Sequence, residues 1–430
     1  MTRLLYAPDK NSLEFKALET ASEQLKLTQA RVLANAGAIA SPHDYHLNRF
    51  LFEYFPRGSE FPALSSIEPP SALARASVRA FSIDDETTTE IDDAFSVTPL
   101  ANGHTEIGIH IAVPALAISR ESPCEAVARE RLSTVYFPGR KITMLPAAAI
   151  DAFTLLAGGE RCALSLYAEL GSDGAILRTR SCCEYVPIVR NLHVGALEQV
   201  FNAESLAGGS IDHEFGAELK ALWHFAQRLE SARGKADNVS AQQRVEYSFY
   251  VDDGVVRIVE RRRGSPVDKV VAELMIYANA EWGGELAKAG YAGLYRAQTG
   301  GVARMTTVAT RHEGLGVAQY AWASSPLRRY VDLVNQRQLL ALFAGEPAPY
   351  AAADETLLAA LRDFEVTYEA YAEFQRTMER YWCLRWIEQE NAHHLDATVL
   401  RENLVRCNRL PLLLRVPSLR EAGAGDQVRL

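Results

Sequence analysis

The chain has 430 residues, of which 48% are hydrophobic and 23% are charged, and its formal net charge is −9. This length allows one large domain with smaller attachments, or two to three domains. The acidic balance argues against a protein that coats nucleic acids through a generally basic surface. It leaves room for an enzyme in which a basic channel leads to an acidic metal site.

Membrane and secretory signals are missing from the sequence. The apolar stretches are too short and too interrupted to span a bilayer, and the N-terminus lacks an apolar core followed by a small-residue cleavage site. The six cysteines have no paired metal-type spacing, and in a chain of this size we expect them to be reduced rather than bridged. The sequence therefore predicts a cytoplasmic protein without a membrane partner.

The first 75 residues have helical signals. Apolar positions recur with helical spacing over residues 12–36, and Ser41 followed by Pro42 is typical of a helix start. Four prolines between Pro56 and Pro70 then indicate a linker. We predict a small helical unit over residues 1–75, for which a winged-helix-like module is one candidate.

Strand and helix patterns are mixed in the rest of the chain. Strand-like stretches occur at residues 78–83, 105–111, 162–170 and 175–185. Helical patterns occur at residues 122–132, 214–233 and 267–288, from Ser325-Pro326 to about Leu342, and over 354–394. The tail, residues 397–430, is β-like and has six arginines against three acidic residues. The predicted units are therefore residues 1–75, 76–396 and 397–430.

A dense acidic cluster follows the first strand-like stretch. Six acidic residues lie within ten positions, namely Asp84, Asp85, Glu86, Glu90, Asp92 and Asp93. Carboxylates are the ligands that Mg²⁺ prefers, and two such ions can cleave a phosphodiester. A solvated acidic loop is the alternative. An EF-hand is excluded because Thr89 and Phe95 occupy its glycine and bidentate glutamate positions. Flanking apolar residues favour partial burial and metal binding.

Two arginines follow the helix-start signal at Ser325-Pro326. Ser325 and Pro326 predict a helix start that puts Arg328 and Arg329 in the first turn. Positive charge in the first turn interacts unfavourably with the helix dipole, at a cost of a few tenths to about 1 kcal/mol. A bound phosphate, held by guanidinium groups and backbone N–H groups, would explain it. The alternative is that these arginines pair with Asp332 or with acidic residues elsewhere.

Several sequence blocks occur together in one order. They are IDDETTTEIDDAF, IGIHIAVP, STVYFPGRKITMLP, VVAELMIYANAEW and YAWASSPLRRYVDL. In this order they resemble the ribonuclease II/R family, whose catalytic part is the RNB domain, over residues 78–394. The resemblance implies an α+β fold with a mixed sheet and surrounding helices. It also implies 3′-to-5′ hydrolysis of single-stranded RNA to nucleoside 5′-monophosphates by a two-metal-ion mechanism with Mg²⁺, for which Mn²⁺ can substitute.

The resemblance also implies roles for individual residues. The metal positions correspond to Asp84, Glu90, Asp92 and Asp93, and the catalytic positions to Asp92, Asp93 and Arg328. The RNA-binding positions correspond to Tyr136, Glu273, Arg328 and Arg329. Tyr136 would stack on a base near the scissile end, and Glu273 would lie near the 3′-terminal nucleotide. The alternatives are a core aromatic for Tyr136 and a helix-surface acid for Glu273.

The chain also departs from the family pattern. Glu90 replaces the usual aspartate, Val113 replaces an aspartate, and Trp322-Ala323 replaces a frequent His-Phe. Family members often begin with two cold-shock domains and end with an S1 barrel. Here the N-terminal unit reads as helical, and the tail resembles only the start of an S1-like barrel. A non-catalytic RNA-binding protein and a phosphodiesterase for short oligonucleotides remain the alternative functions.

Overall fold

The structure is a computed structural model that describes residues 2–63, 67–235, 245–419 and 422–430. The helices are α1 Arg3–Tyr6, α2 Leu13–Leu25, α3 Gln29–Asn35, α4 Pro42–Tyr54, α5 Pro123–Arg131, α6 Ala147–Phe153, α7 Val194–Val200, α8 Ala203–Ala207, α9 Gly216–Ala232, α10 Pro266–Ala289, α11 Tyr330–Ala344 and α12 Glu355–Gln389. The strands are β1 Ala74–Arg75, β2 Ala80–Asp84, β3 Asp93–Pro99, β4 Thr105–Ala112, β5 Val135–Phe137, β6 Arg140–Ile142, β7 Gly159–Leu170, β8 Ile176–His193, β9 Val245–Asp252, β10 Val255–Arg262, β11 Tyr295–Ala297, β12 Arg304–Thr306, β13 Asp396–Arg401, β14 Leu404–Cys407, β15 Leu413–Arg415 and β16 Gln427–Arg429.

A mixed six-stranded sheet forms the centre of the molecule. Its strand order is β1-β8-β2-β3-β4-β7, and β8 also pairs with β7. The first part of the 18-residue β8 runs antiparallel to β7, whereas its last part runs parallel to β2. The long strand therefore closes the sheet on itself. This arrangement, with helices packed around the sheet, confirms the predicted α+β class.

The sheet contains a buried polar group. His110 on β4 forms hydrogen bonds with Ser96 of β3 at 2.8 Å and with Ser165 of β7 at 2.9 Å. Gly108 lies two residues earlier on the same strand, and a Cβ atom there would be only 2.4 Å from the Ser96 hydroxyl oxygen. A larger residue at position 108 would therefore collide with the hydrogen-bonded side chains of Ser96 and His110.

Helix α4 of the N-terminal segment packs against the long helix α12. The rings of Phe50 on α4 and Phe374 on α12 stack with centroids 3.9 Å apart. Val135, Phe137 and Ile142 of the β5–β6 hairpin belong to the same apolar cluster. The hairpin is thereby held between the first helical segment and α12. Helices are the only regular elements in residues 2–63, which contain no strand, and the winged-helix-like module stays a prediction.

Two helix predictions are corrected by the structure. The helical pattern over residues 12–36 forms two helices, because Lys26 ends α2 in a left-handed conformation (φ 54°) and Thr28 caps α3. The helix predicted from Ser325-Pro326 begins only at Tyr330, and Arg329 is its N-cap residue. Residues 326–328 form a turn instead. Arg328 and Arg329 therefore do not lie in the first helical turn, and the dipole argument for a bound anion fails.

The tail forms a four-stranded antiparallel sheet in the order β15-β14-β13-β16. Its buried side is formed by Ala397, Val399 and Val405. All six cysteines are free thiols, as predicted. Among the described residues, no helix combines the length and the apolar character that a membrane crossing requires.

Candidate active site

The end of β2 and the start of β3 carry two of the predicted acidic residues. Asp84 is the last residue of β2 and Asp93 is the first of β3. The two strands are antiparallel, with Phe81 opposite Phe95, so the two aspartates come to the same end of the hairpin. Asp84 also pairs in register with His193 at the end of β8. Asp85 and Glu86, in the connecting turn, are exposed.

The segment between these strands is held from the side by a threonine. The Ile91 N–H donates to the Thr154 hydroxyl at 2.9 Å, and that hydroxyl donates to the Thr89 carbonyl at 3.1 Å. The Leu155 N–H donates to the Ile91 carbonyl at 3.0 Å. These contacts turn the backbone so that Glu90 and Asp92 are buried rather than solvated. The alternative of a free acidic surface loop is therefore wrong for this part of the cluster.

Asp92 is bound to the turn that precedes α11. Its Oδ1 accepts the Leu327 backbone N–H at 2.9 Å, and its Oδ2 accepts Nε of Arg328 at 3.1 Å. Burial raises the pKa of Asp92 to about 7, although the Arg328 charge and the Leu327 N–H act in the opposite direction. Asp92 and Arg328, 236 positions apart in the sequence, are thus brought into direct contact.

Arg328 is only partly buried. Its Nη2 donates to the Ser325 hydroxyl at 2.8 Å, and 41% of its side chain is exposed. Its Nη1 makes no hydrogen bond with any residue of the described ranges. The backbone carbonyl of Arg328 accepts the Thr134 N–H at 3.0 Å. The guanidinium group is therefore fixed on one side by Asp92 and Ser325 and open on the other.

Asp84 and Asp93 have buried carboxylate oxygens without partners. The Oδ2 atoms of both residues are inaccessible to solvent and make no hydrogen bond with any residue that the structure describes. Desolvation is the main cause that raises the pKa of Asp84 to about 6. Desolvation, followed by the charges of Asp84 and Asp92, raises the pKa of Asp93 well above its ordinary value. Such a pair of carboxylates requires either a proton or a bound cation.

Glu90 is already paired with a cation of the chain. Its side chain forms an ion pair with Lys141, whose ammonium group also donates to the Thr89 hydroxyl. Glu90 is 5% exposed, and its second oxygen, Oε1, is buried without a partner. The carboxylate thus keeps one free buried oxygen while the other is neutralised by the lysine.

Lys141 and Tyr136 are presented by one hairpin. β5 and β6 are joined by Pro138-Gly139, and Tyr136 pairs directly with Lys141 across the two strands. Residues directly opposite in an antiparallel pair project from the same face. Tyr136 is 39% exposed, whereas both its neighbours in β5 are buried. Its ring is therefore not a core aromatic. After desolvation, the Glu90 charge is the largest cause that raises the pKa of the Tyr136 phenol.

Two predicted RNA-binding residues are engaged elsewhere. Arg329 makes a bidentate contact with the buried Asp332, with both distances 2.7 Å, and lies over the Trp322 ring at 4.1 Å. Arg329 thus pairs with Asp332, as in the alternative given for the two arginines, whereas Arg328 contacts Asp92 of the acidic cluster. Glu273 on α10 is buried and ion-paired with Arg233. It is therefore not the helix-surface acid that the alternative described.

The four acidic positions thus divide into two paired and two unpaired carboxylates. In the described part of the chain, no three acidic, histidine or cysteine side chains are close enough together to enclose a metal ion. Mg²⁺ does not need such an enclosure, because it is commonly held by one or two carboxylates with water and substrate phosphates. The unpartnered oxygens of Asp84 and Asp93 fit this kind of binding.

Lys141 was missed by the sequence analysis. Its signal lies within STVYFPGRKITMLP, where Pro138-Gly139 between two short apolar stretches is typical of a hairpin loop. That reading would have put Tyr136 opposite Lys141. It could not have given the contact with Glu90, which is 51 positions away in the sequence.

Curated relatives resemble this chain at low sequence identity. The chain is 25% identical over 373 residues to the chloroplastic/mitochondrial ribonuclease II of Arabidopsis thaliana, which covers 78% of this chain and 45% of that protein. The chain spans about half the length of the curated relatives it matches.

Solved structures share the fold at low sequence identity. RNase R of Mycoplasma genitalium, solved in complex with ribose-methylated single-stranded RNA, superimposes with a TM-score of 0.70 at 14% identity, covering 90% of this chain and 75% of that one. Yeast Ssd1, described as a pseudonuclease, superimposes with a TM-score of 0.66 at 17% identity, covering 91% of this chain and 56% of that one.

The family model for the RNB domain matches residues 75–304 and 299–345, which is more than half of the chain. These residues include the β2–β3 acidic hairpin, the β5–β6 hairpin and the turn that carries Arg328. The chain therefore belongs to the RNB-domain family.

Proposed function

We propose that this chain is a 3′-to-5′ exoribonuclease that hydrolyses single-stranded RNA to nucleoside 5′-monophosphates with Mg²⁺ or Mn²⁺. The observation that carries the proposal is the direct contact of Asp92 with Arg328, beside the unpartnered oxygens of Asp84 and Asp93. Anionic ligands and an open guanidinium group at one place are what phosphodiester cleavage requires. Membership of the RNB-domain family supports the choice of RNA.

Asp84 and Asp93 would hold the divalent ion, and each Asp92 oxygen keeps lone-pair capacity beside its hydrogen bond. When bound, the ion polarises the scissile phosphate and favours ionisation of the attacking water. The resemblance implies two ions. The Asp84–Asp93 pair offers unpartnered oxygens for one, whereas Glu90 is already paired with Lys141.

Arg328 is proposed to bind the scissile phosphate in the transition state. Asp92 and Ser325 fix its Nε and Nη2, so the side chain loses little further freedom when Nη1 meets a phosphate oxygen. A buried carboxylate behind the guanidinium group also prevents it from turning away. Asp92 thus positions Arg328 as well as contributing a ligand.

Tyr136 is proposed to stack on the base next to the scissile phosphate. Its exposed ring stands on a rigid hairpin and lies close enough to Glu90, Asp92 and Arg328 for their charges to act on its hydroxyl group. An aromatic face accepts any base, which suits an enzyme without sequence preference. For Glu273 and Arg329 we propose supporting roles through their ion pairs with Arg233 and Asp332.

The test uses one RNA labelled separately at each end. With Mg²⁺, the 5′-labelled RNA should give a descending ladder, and the 3′-labelled RNA should release labelled mononucleotide at once. Asp92→Asn should lower the rate by about 10²–10³-fold, the range for loss of one electrostatic contributor. Asp363→Asn, which changes an exposed aspartate on α12, is the matched control and should keep the wild-type rate.

Full-length RNA after incubation of the wild type with Mg²⁺ and with Mn²⁺ would refute the proposal. Equal rates on a dinucleotide and on a long homopolymer would instead indicate a phosphodiesterase for short oligonucleotides. Degradation of 5′-labelled RNA directly to a mononucleotide would indicate the opposite polarity.

A non-catalytic RNA-binding function is favoured by one observation, the ion pair that occupies Glu90. The structural likeness to the pseudonuclease Ssd1 shows only the fold. The intact contact between Asp92 and Arg328 favours the enzyme. RNA binding without turnover, unchanged by Asp92→Asn, would identify the non-catalytic function.

A further inference from the structure

The charges at the buried end of the β2–β3 hairpin are only partly balanced within the chain itself. Four carboxylates, those of Asp84, Glu90, Asp92 and Asp93, belong to this group. Arg328 neutralises Asp92, and Lys141 neutralises Glu90. The two carboxylates that remain, Asp84 and Asp93, each have a buried oxygen without a hydrogen-bond partner among the described residues. When both are ionised, one divalent cation would neutralise the two carboxylates.

The position of Lys141 is fixed by the packing of its hairpin and by two hydrogen-bond acceptors. Its backbone belongs to β6, which pairs with β5, and the hairpin packs through Val135, Phe137 and Ile142 into the apolar cluster with α12. The ammonium group has two acceptors, the Glu90 carboxylate and the Thr89 hydroxyl. Thr89 is itself fixed, because its carbonyl accepts the Thr154 hydroxyl.

We propose that the Lys141 ammonium group takes the place of a second divalent ion, so that the active site of this chain binds one ion, at Asp84 and Asp93. The inference rests on the proposed function. A cation that shares Glu90 with Lys141 would lie beside the ammonium group at a carboxylate whose side chain is only 3% exposed, so the two like charges would repel each other. The Glu90 side chain is long enough to contact Lys141. Through this ion pair, the Glu90 carboxylate positions the β5–β6 hairpin.

The proposal predicts the number of ions bound without any reference to activity. Mn²⁺ alone is titrated into the full chain, and free Mn²⁺ is counted by electron paramagnetic resonance. We expect one tightly bound Mn²⁺ per wild-type chain and two in Lys141→Met, where Glu90 becomes free. The double variant Lys141→Met/Glu90→Gln should return to one. Lys269→Met, which breaks a half-buried lysine–glutamate pair elsewhere, is the matched control and should also bind one.

Each result separates the two proposals. Two ions in the wild type, or one ion in a folded Lys141→Met, would overturn the role of Lys141 and leave the exoribonuclease proposal standing. No ion in any variant would overturn the metal site of the proposed function as well. Far-UV circular dichroism establishes that Lys141→Met is folded. If Lys141→Met is not folded, the single variant Glu90→Gln is used instead. One bound ion in this variant supports the proposal, since the ion lies at Asp84 and Asp93. The absence of a bound ion in this variant overturns the proposal.

Discussion

The turn that carries Arg328 depends on a buried aspartate, and Asp332→Asn tests this dependence. Asp332 is fully buried and accepts the Ser325 N–H at 2.9 Å and two Arg329 nitrogens at 2.7 Å. The substitution keeps the volume but replaces one acceptor oxygen with a donor that faces the guanidinium group. Arg329, only 12% exposed, is left as a buried charge without its counter-ion.

Removing one partner of a buried ion pair costs about 3–5 kcal/mol. We expect about 3 kcal/mol, the lower end, because asparagine keeps one acceptor oxygen for the Ser325 N–H. Each 1.4 kcal/mol corresponds to a tenfold change in an equilibrium constant, so the ratio of folded to unfolded chains should fall by roughly a hundredfold. RNA cleavage should also slow, because the same turn positions Arg328 against Asp92.

The assay is urea unfolding followed by tryptophan fluorescence, since Trp322 lies beneath Arg329. Asp363→Asn is the control, because Asp363 pairs with Arg362 at the surface of α12, and its unfolding midpoint should equal that of the wild type. An Asp332→Asn variant within 1 kcal/mol of the wild type would show that the Arg329 pair contributes little and that the reasoning is wrong.

Two further predictions concern the central sheet. Gly108→Ala should lower the unfolding free energy by about 1–3 kcal/mol, because the new methyl group collides with the Ser96 hydroxyl. Gly159 has open space around it, so Gly159→Ala is the control and should have little effect in the same urea assay. Burial, followed by the Arg180 charge, lowers the pKa of His110 to about 3, so below pH 6.5 the unfolded chain takes up a proton that the native chain does not. From this group alone, the free energy of unfolding should therefore fall by up to about 1.4 kcal/mol per pH unit as the pH is lowered from 6.5 to 3. His110→Gln should make the free energy of unfolding less dependent on pH in this range. Equal pH dependence in the wild type and the variant would contradict the role given to His110.

The acidic site was predictable where local patterns determine it. The strand-like stretch over residues 78–83 predicted that the acidic cluster follows a strand, and Asp84 is the last residue of β2. The strand that begins at Asp93 was not predicted. The apolar neighbours of the cluster predicted burial correctly for Glu90 and Asp92. These conclusions need only strand periodicity and the chemistry of carboxylates, both of which are visible within 15 residues.

Contacts between distant segments were not predictable. The helix start at Ser325-Pro326 was wrong because the Leu327 N–H donates to Asp92 and the Ser325 N–H to Asp332, so the backbone does not continue into a helix until Tyr330. The two adjacent arginines then have different partners. No local pattern states which of them faces the acidic cluster and which one packs on Trp322.

The apolar cluster shared by α4, α12 and the β5–β6 hairpin has a consequence for protein engineering. The boundary predicted near residue 75 lies between Phe50 and the hairpin in sequence, yet their side chains form one cluster with Phe374. Arg131 strengthens this connection, because it donates to the Ser59 and Glu60 carbonyls. A shortened chain that starts at residue 76 would expose one side of the support beneath Tyr136 and Lys141. Helix α4 is therefore better treated as an integral part of the fold that supports the candidate site than as a removable attachment.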